Sequence, residues 1–231
     1  MDHVLQSGYL ERMTQSDKIA RGLSHVNLVK HYTTAIVPFS SSENAIIDLL
    51  RTRLITVLRA KWPRALDIEY ECVKIIGIEN DFPHTHGNCI FLPERLFAQP
   101  FDRLFKTFVH EFVHVYQRTR PLDTHALVSA WGFKPTGHRE HYASRYNMRL
   151  NPDVNELIYQ NSTGNIEVMV YNSITPESLL DTHNVVIHQN GDVMETSADC
   201  RTEHPYEMMA YTLADVLVDN VNEPMSKTWI R

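Results

Sequence analysis

The spacing of apolar residues predicts two long helices in the first half of the chain. Between Ser40 and Pro63, apolar side chains recur three and four positions apart, with Ser42 placed to cap the helix and Pro63 to end it. A second helical pattern lies between Pro100 and Pro121, and the two prolines mark its ends. The apolar positions of the first helix are Ala45, Ile46, Leu49, Leu50, Leu54 and Leu58.

Shorter helices precede these two, and a further helix is predicted near the C-terminus. Residues 1–42 have the pattern of short helices and loops, with one helix start at Ser16-Asp17. The last helical pattern covers residues 204–221, where Pro205 suits the first helical position and His204 would cap the helix.

Runs of β-branched residues between the helices predict strands. A short helix at residues 124–133 separates two groups of them. The predicted strands are residues 65–78 (one or two strands), residues 87–93, a hairpin at residues 155–171 around Gly164, and a hairpin at residues 184–195 around Asn190-Gly191. Helices, strands, hairpins and a final helix in this order predict an α+β fold.

Composition narrows the possible partners and the compartment. The 231 residues are 43% hydrophobic and 22% charged, which suits a globular protein with a substantial core. The net charge of -6, with no basic stripe, argues against nucleic acid or an anionic membrane as partner. Three scattered cysteines predict reduced thiols. Because neither a signal peptide nor an apolar run of ~18 residues is visible, we expect a cytoplasmic protein; the oligomeric state stays open.

The second helix carries two histidines and a glutamate in the pattern HExxH. Side chains four positions apart on a helix lie ~5–6 Å from each other, so His110 and His114 can bind one metal ion. Glu111 flanks that ion and can take a proton from a metal-bound water. In a chain with 13 histidines, composition alone would produce this pattern in roughly one case in twenty. The pattern therefore indicates a zinc site.

A helical wheel places the histidine pair away from the apolar face of this helix. His110 and His114 fall on the side of Arg103, Thr107 and Gln117. The arrangement argues against an ordinary core histidine pair and leaves a solvated polar face as the simplest non-functional interpretation. The apolar face consists of Phe101, Leu104, Phe105, Phe108, Phe112, Val115 and Tyr116.

A catalytic zinc usually has three protein ligands and an open position for water, so a third ligand is required. The continuation HExxHxxGxxH is excluded, because Gln117 and Arg120 occupy the glycine and histidine positions. Two alternatives remain. One is His138 or His141, and the other is Glu207 on the C-terminal helix, which would complete a His₂Glu set. We favour Glu207, because a small residue one turn later lets that helix approach the metal.

Two stretches of the chain resemble the zincin metallopeptidases of the gluzincin type. A T-x-G-N-x-I strand precedes HExxHxxQ, and a P-x-E-x-x-A helix follows later. The resemblance implies that residues 88–93 form an edge strand of a small mixed sheet and bind a peptide beside the metal. The matching residues are Thr85, Gly87, Asn88, Ile90, His110, Glu111, His114, Gln117, Pro205, Glu207 and Ala210.

We therefore expect a zinc-dependent metallopeptidase that hydrolyses a peptide or protein substrate. Zn²⁺ would be bound by His110, His114 and Glu207, and Glu111 would be the general base. Residues 1–62 would form a helical segment packed on a zincin-like domain of residues 63–231, together one structural unit. The competing hypothesis is a zincin-like binding or structural module with little or no activity. Candidates for stabilising the oxyanion are His141, Tyr142, Arg145, Tyr146 and Tyr211.

Overall fold

The computed structural model describes residues 2–23, 27–196 and 203–219, which form an α+β fold as the sequence predicts. In that part of the chain, no helix combines the length and the apolar character needed to cross a membrane. The helices are α1 (Asp2–Gln6), α2 (Gln15–Ala20), α3 (Leu28–Ala35), α4 (Ser41–Lys61), α5 (Phe101–Thr119), α6 (Pro121–Ala130), α7 (Glu140–Tyr146) and α8 (Pro205–Val218). The strands are β1 (Ile36–Val37), β2 (Glu71–Ile75), β3 (His84–His86), β4 (Cys89–Pro93), β5 (Lys134–His138), β6 (Leu157–Gln160), β7 (Ile166–Tyr171), β8 (Thr182–Ile187) and β9 (Val193–Thr196).

The predicted helices form, but two of their caps differ from the prediction. Ser40, and not Ser42, caps α4, because its hydroxyl accepts the Glu43 N–H while the Glu43 carboxylate accepts the Ser40 N–H. Likewise Thr14 caps α2 two residues before the predicted start. Both helices begin with a capping box, in which a serine or threonine and an acidic residue three positions later bond to each other's backbone N–H. This motif sets the true start of each helix. His204 caps α8, as predicted, by accepting the Tyr206 N–H.

The first sheet is small and mixed, with strand order β1-β2-β4-β3. β2 and β4 are parallel, and the other two pairs are antiparallel. The prediction that residues 88–93 form an edge strand is wrong, because β4 lies between β2 and β3 and is fully buried. The edge strand that lies beside α5, the helix with the HExxH pattern, is β3. Its outer side is occupied at Thr85, whose N–H donates to Asp153 and whose carbonyl accepts from Arg118.

The second sheet joins the two predicted hairpins into one antiparallel order, β5-β6-β7-β8-β9. β5 lies on residues for which no strand was predicted. The turn between β8 and β9 is also longer than a two-residue Asn-Gly turn. His188 N–H donates to Asp192 O, and Gly191, with a φ of 87°, closes a three-residue loop.

Helix α5 lies at the centre of the main core. Its apolar face packs with α4, β4 and α8 into one buried cluster, which includes Leu54, Ile90, Phe108, Phe112 and Leu213. A second cluster joins the N-terminal helices to the first sheet, because Tyr9 and Tyr32 pack with Ile75 and Phe91. The division into residues 1–62 and 63–231 stays a prediction. Cys72 and Cys89 are free thiols, and Cys200 lies outside the described residues.

Candidate metal centre

Three side chains from α5 and α8 converge on one point. The Nε2 atoms of His110 and His114 are 3.1 Å apart. The Oε2 atom of Glu207 lies 3.4 Å from the first and 3.6 Å from the second. These are the three residues predicted to bind the metal, and in the described chain no other group of three or more histidine, cysteine or acidic side chains converges in this way.

The spacing of the three atoms fits a tetrahedral zinc ion. Bonds of ~2.0–2.2 Å in a tetrahedron place ligand atoms roughly 3.3–3.6 Å from one another. The observed separations of 3.1, 3.4 and 3.6 Å lie close to this range without rearrangement of either helix. Two imidazoles and a carboxylate are also a donor set that zinc enzymes use. The residues therefore fit the metal that the sequence predicts.

The α5 face that carries the pair changes from exposed to buried along its length. Arg103 is exposed and Thr107 half-buried, whereas His110 is 14% exposed at its side chain, and His114 and Gln117 are buried. A solvated polar face is therefore ruled out for this part of the helix. The pair therefore lies where α5 enters the protein interior, and its side chains are shielded from most of the solvent.

Gln117 fixes the orientation of His114. Its Nε2–H donates to the carbonyl of Tyr206 at 2.8 Å, so its Oε1 must face the imidazole. His114 Nδ1–H then donates to Gln117 Oε1 at 2.9 Å and leaves the Nε2 lone pair free to bind a metal. The same glutamine connects α5 to the first turn of α8, which carries Glu207.

Close packing of two antiparallel helices brings Glu207 to the histidines. Ala210, one turn after Glu207, is completely buried against α5 and permits the approach. Lys106 on α5 pairs with Asp215 at 2.7 Å, and it also pairs with Asp219, near the end of α8. Asp215 is thus paired with a lysine of α5.

Charges within the cluster shift the pKa values of the ligands in opposite directions. Burial by itself would raise the pKa of Glu207, but the charge of His114 and hydrogen bonds from both histidines hold it well below its usual range. Burial would lower the pKa of His114, and the Glu207 carboxylate instead raises it. An ionised carboxylate therefore faces the imidazoles.

Glu111 lies next to this cluster, and the hydrogen bonds and charges around it do not fully compensate for the burial of its carboxyl group. It is buried, and its Oε2 atom finds no hydrogen-bond partner among the described residues. Burial raises the pKa of Glu111 well above its ordinary value, the negative charges of Asp153 and Glu207 add to the effect, and Arg118 opposes it. A carboxyl group in this environment is a strong proton acceptor once it is ionised.

A cleft of about 790 Å³ opens onto the cluster. His110, Glu111 and Glu207 line it, together with β3 through His84 and the loop before β8 through Leu180. Tyr211 also lines the cleft, and its ring lies 4.4 Å from that of His110, measured between centroids. The volume is sufficient for several residues of an extended peptide or for a small ligand.

Several candidates from the sequence lie elsewhere. His138 and His141 are exposed on β5 and α7, and neither belongs to the converging group. The alternative third ligand is therefore not supported by the geometry. Of the five candidates for oxyanion stabilisation, Tyr211 lines the cleft, whereas His141, Tyr142, Arg145 and Tyr146 do not.

Sequence reasoning assigned no role in the site to four residues that lie around it. One of them, Gln117, carried a signal, because it lies three residues after His114 on the same helix face and is part of the HExxHxxQ pattern. Asn151, Asp153 and Arg118 carried none, since they come from an irregular segment and from the flank of α5 and are joined through tertiary contacts.

Comparison with protein-family models, with curated proteins and with solved structures finds no match for this chain. The functional assignment therefore depends on the site itself. Its features are three convergent ligand atoms, an adjacent buried carboxyl group and a cleft that reaches both.

Proposed function

We propose that the protein is a zinc-dependent peptidase with a zincin-like, gluzincin-type site. The observation that carries this proposal is the convergence of His110, His114 and Glu207 within 4.8 Å, on the helix pair that also carries Glu111. The HExxH helix and a glutamate from a later helix form the His₂Glu arrangement implied by the sequence resemblance.

In this proposal Glu111 performs the proton transfers. When bound, zinc would supply a Lewis acid that acidifies a water molecule and polarises the substrate carbonyl. Glu111, one residue from His110, accepts the proton of the attacking water and delivers it to the leaving amine. In the metal-free protein burial and nearby acids raise the pKa of Glu111, and the positive charge of a bound zinc ion would favour the ionised form that accepts the proton.

Tyr211 is the side chain we propose for stabilising the oxyanion. It lies one turn after Glu207, lines the cleft and contacts His110. A phenol at this position can donate a hydrogen bond to the oxygen on which negative charge develops. We expect Tyr211→Phe to lower kcat about 10²–10³-fold with little change in KM.

A peptide or protein substrate would lie in the cleft without adding a strand to β4, which is internal to its sheet. The outer side of β3 is also closed at Thr85 by Asp153 and Arg118. Substrate contacts would therefore come from side chains on the cleft walls, such as Thr107, and from the loop at Leu180.

Glu111→Gln tests the enzyme hypothesis. Wild-type protein expressed with added zinc should hold one equivalent of metal and cleave members of a peptide library. The Glu111→Gln protein should hold the same amount of zinc and show at least 10³-fold lower kcat. Equal cleavage by both proteins would contradict the role of Glu111, and wild-type protein without zinc would contradict the site.

A zincin-like binding module is the second candidate, and the closed outer side of β3 favours it, because peptidases of the implied type use an open strand edge. Wild-type and Glu111→Gln proteins would then both bind zinc, and neither would cleave any member of the library. Peptide binding to both proteins, measured by fluorescence anisotropy, would support this function.

A further inference from the structure

We infer that Asn151 is a positioning residue that holds Glu207 so that one carboxylate oxygen faces the histidine pair; the inference rests on the proposed metal site. Asn151 Nδ2–H donates to Glu207 Oε1 at 2.8 Å. The other oxygen, Oε2, is the atom that lies 3.4 Å from His110 and 3.6 Å from His114. The amide therefore occupies one side of the carboxylate and leaves the other side for the metal.

The orientation of the Asn151 amide follows from its second contact. The backbone N–H of Asp153 donates to Asn151 Oδ1 at 2.8 Å. An N–H group can donate only to the oxygen of the amide, so the NH₂ group must point the other way, toward the carboxylates. A flipped amide would place two acceptors opposite each other at Glu207 and leave the Asp153 N–H facing a donor.

The backbone on either side of Asn151 is held by other parts of the molecule. Leu150 N–H donates to Asp17 Oδ1 at 2.8 Å, and Leu150 O accepts from Arg21 Nη2 at 2.7 Å. Pro152 O accepts from Arg118 Nη2 at 2.7 Å. Because both flanking residues are fixed, the amide is pre-organised and does not depend on a flexible loop for its position.

Asn151 also determines which acidic side chain faces the metal position. Its Nδ2 group donates to Glu203 Oε1 at 2.6 Å as well as to Glu207. Arg149 donates to both oxygens of Glu203, at 3.0 and 2.9 Å, and balances its charge. Glu203 is thus engaged by a guanidinium group and the amide, whereas Glu207 keeps one oxygen for the histidine side.

Removal of the amide should weaken metal binding even though Asn151 does not touch the metal. Without it, Glu207 can rotate or present both oxygens, and the site loses the orientation seen in the structure. Residues that orient metal ligands in this way typically contribute about 10–100-fold to metal affinity.

The experiment compares Asn151→Leu and Asn151→Ala with the control Asn155→Leu in full-length protein. Asn155 belongs to the same segment; its side chain donates to Tyr159, accepts the Leu157 N–H and interacts with the Tyr206 side chain, and among the hydrogen bonds of the described residues none joins it to Glu203 or Glu207. Zinc affinity is measured by competition with a chromogenic chelator, and cobalt(II) substitution gives the visible spectrum of the site. Both Asn151 variants should lose about 10–100-fold in zinc affinity and show a changed cobalt spectrum, whereas Asn155→Leu should match the wild type.

A double-mutant cycle with Glu207→Ala shows whether Asn151 acts through Glu207. The effect of Asn151→Ala on zinc affinity should disappear when Glu207 is absent. The inference is overturned if both Asn151 variants fold and bind zinc as tightly as the wild type. It is also overturned if Asn151→Ala weakens zinc binding equally with and without Glu207. Neither outcome would contradict the peptidase proposal. Zinc binding that depends on Asn151 without any peptidase activity would support the inference and contradict the proposed function. A wild-type protein that binds no zinc would overturn both.

Discussion

Two buried polar clusters within the described residues differ in how completely their charges are matched. The first, which we call the N-terminal hub, consists of Tyr9, Asp17, Arg21, Tyr32, Glu79, Arg139 and Tyr171. Each carboxylate oxygen of its two acids accepts at least one hydrogen bond. The second cluster is the candidate metal centre, where Glu111 Oε2 and His110 Nδ1 are buried without a hydrogen-bond partner among the described residues.

The difference indicates different purposes for the two clusters. A cluster closed to solvent in which every carboxylate oxygen is hydrogen-bonded stabilises one arrangement of the chain, because removing one charged member leaves its partner's charge buried without compensation. In the hub, Arg139 Nε is buried without a hydrogen-bond partner among the described residues, but both carboxylates are matched. A cluster with unmatched groups beside a cleft is less favourable for folding and is ready to accept a ligand. The two are also connected, since Asp17 and Arg21 of the hub hold the backbone of Leu150 next to Asn151.

The hub also holds an unfavourable turn in place. Glu79, Asn80 and Asp81 have φ values of 49°, 54° and 54°, in the left-handed region. Each such residue costs about 1–2 kcal/mol. The turn directs the Glu79 carboxylate toward Arg21, Tyr9 and Tyr32, whose hydrogen bonds offset that cost.

The largest expected effect is the loss of stability on breaking the hub. Glu79→Gln should lower the free energy of unfolding by about 3–5 kcal/mol, because it removes the negative charge that accepts the Nε–H of the buried Arg21. Urea denaturation at neutral pH measures the change. Glu140→Gln, at an exposed position on α7, is the control and should change stability by less than about 0.5 kcal/mol. If Glu79→Gln changes the free energy of unfolding by no more than the control does, the hub does not stabilise the fold.

The next effect is a difference between the two regions in the pH at which each loses its contribution to the free energy of unfolding. Burial lowers the pKa of His204, the cap of α8, to about 4 from an ordinary value of 6.5. Between these values the unfolded chain binds a proton and the folded chain does not, so stability is complete above pH 6.5 and falls by about 3 kcal/mol as the pH drops to 4. Denaturation curves between pH 7 and 4 measure this loss.

His204→Asn keeps a capping side chain without a titrating group and should remove the part of that dependence that His204 contributes. The part that remains comes from groups such as His86, whose pKa burial also lowers well below its ordinary value. The hub behaves differently, because its acids, Asp17 and Glu79, have lowered pKa values, owing to Arg21 acting against the effect of burial. Their contribution is present above their ordinary values of 3.8 and 4.5 and is lost only at more acid pH. If the free energy of unfolding of His204→Asn falls between pH 6.5 and 4 as much as that of the wild type, His204 is not a source of the loss.

Zinc should stabilise the metal centre by a somewhat smaller amount. At a free concentration 100 times the dissociation constant, zinc should add about 2.7 kcal/mol to the free energy of unfolding. Thermal denaturation with and without zinc measures the shift in wild type and in His114→Ala. The variant should show no shift, and an equal shift in both proteins would place the zinc elsewhere.

The smallest effect is expected for the same glutamate-to-glutamine change in the metal centre. Burial and the charges of Asp153 and Glu207 raise the pKa of Glu111 in the metal-free protein and so favour its neutral form, which glutamine resembles in shape and charge. Glu111→Gln should change stability by less than about 1 kcal/mol, in either direction. A loss as large as that of Glu79→Gln would remove the distinction between the two clusters.

The sequence predicts the parts of the site that depend on local periodicity. The HExxH pair and its flanking glutamate follow from the spacing on α5, and Glu207 follows from a capped helix with a small residue at Ala210. The order of strands does not follow, because a buried apolar strand such as β4 has the same pattern at the centre or at the edge of a sheet. Asn151 and the hub depend on contacts across more than 50 positions of the chain, which no local pattern records.

An anomalous-scattering map at the zinc edge, from crystals of protein expressed with added zinc, tests the central claim most directly. We expect one strong peak, bonded to the Nε2 atoms of His110 and His114 at ~2.0–2.1 Å and to Glu207 Oε2 at ~2.0–2.2 Å. A peak at His138 and His141, or the absence of any peak between α5 and α8, would contradict it.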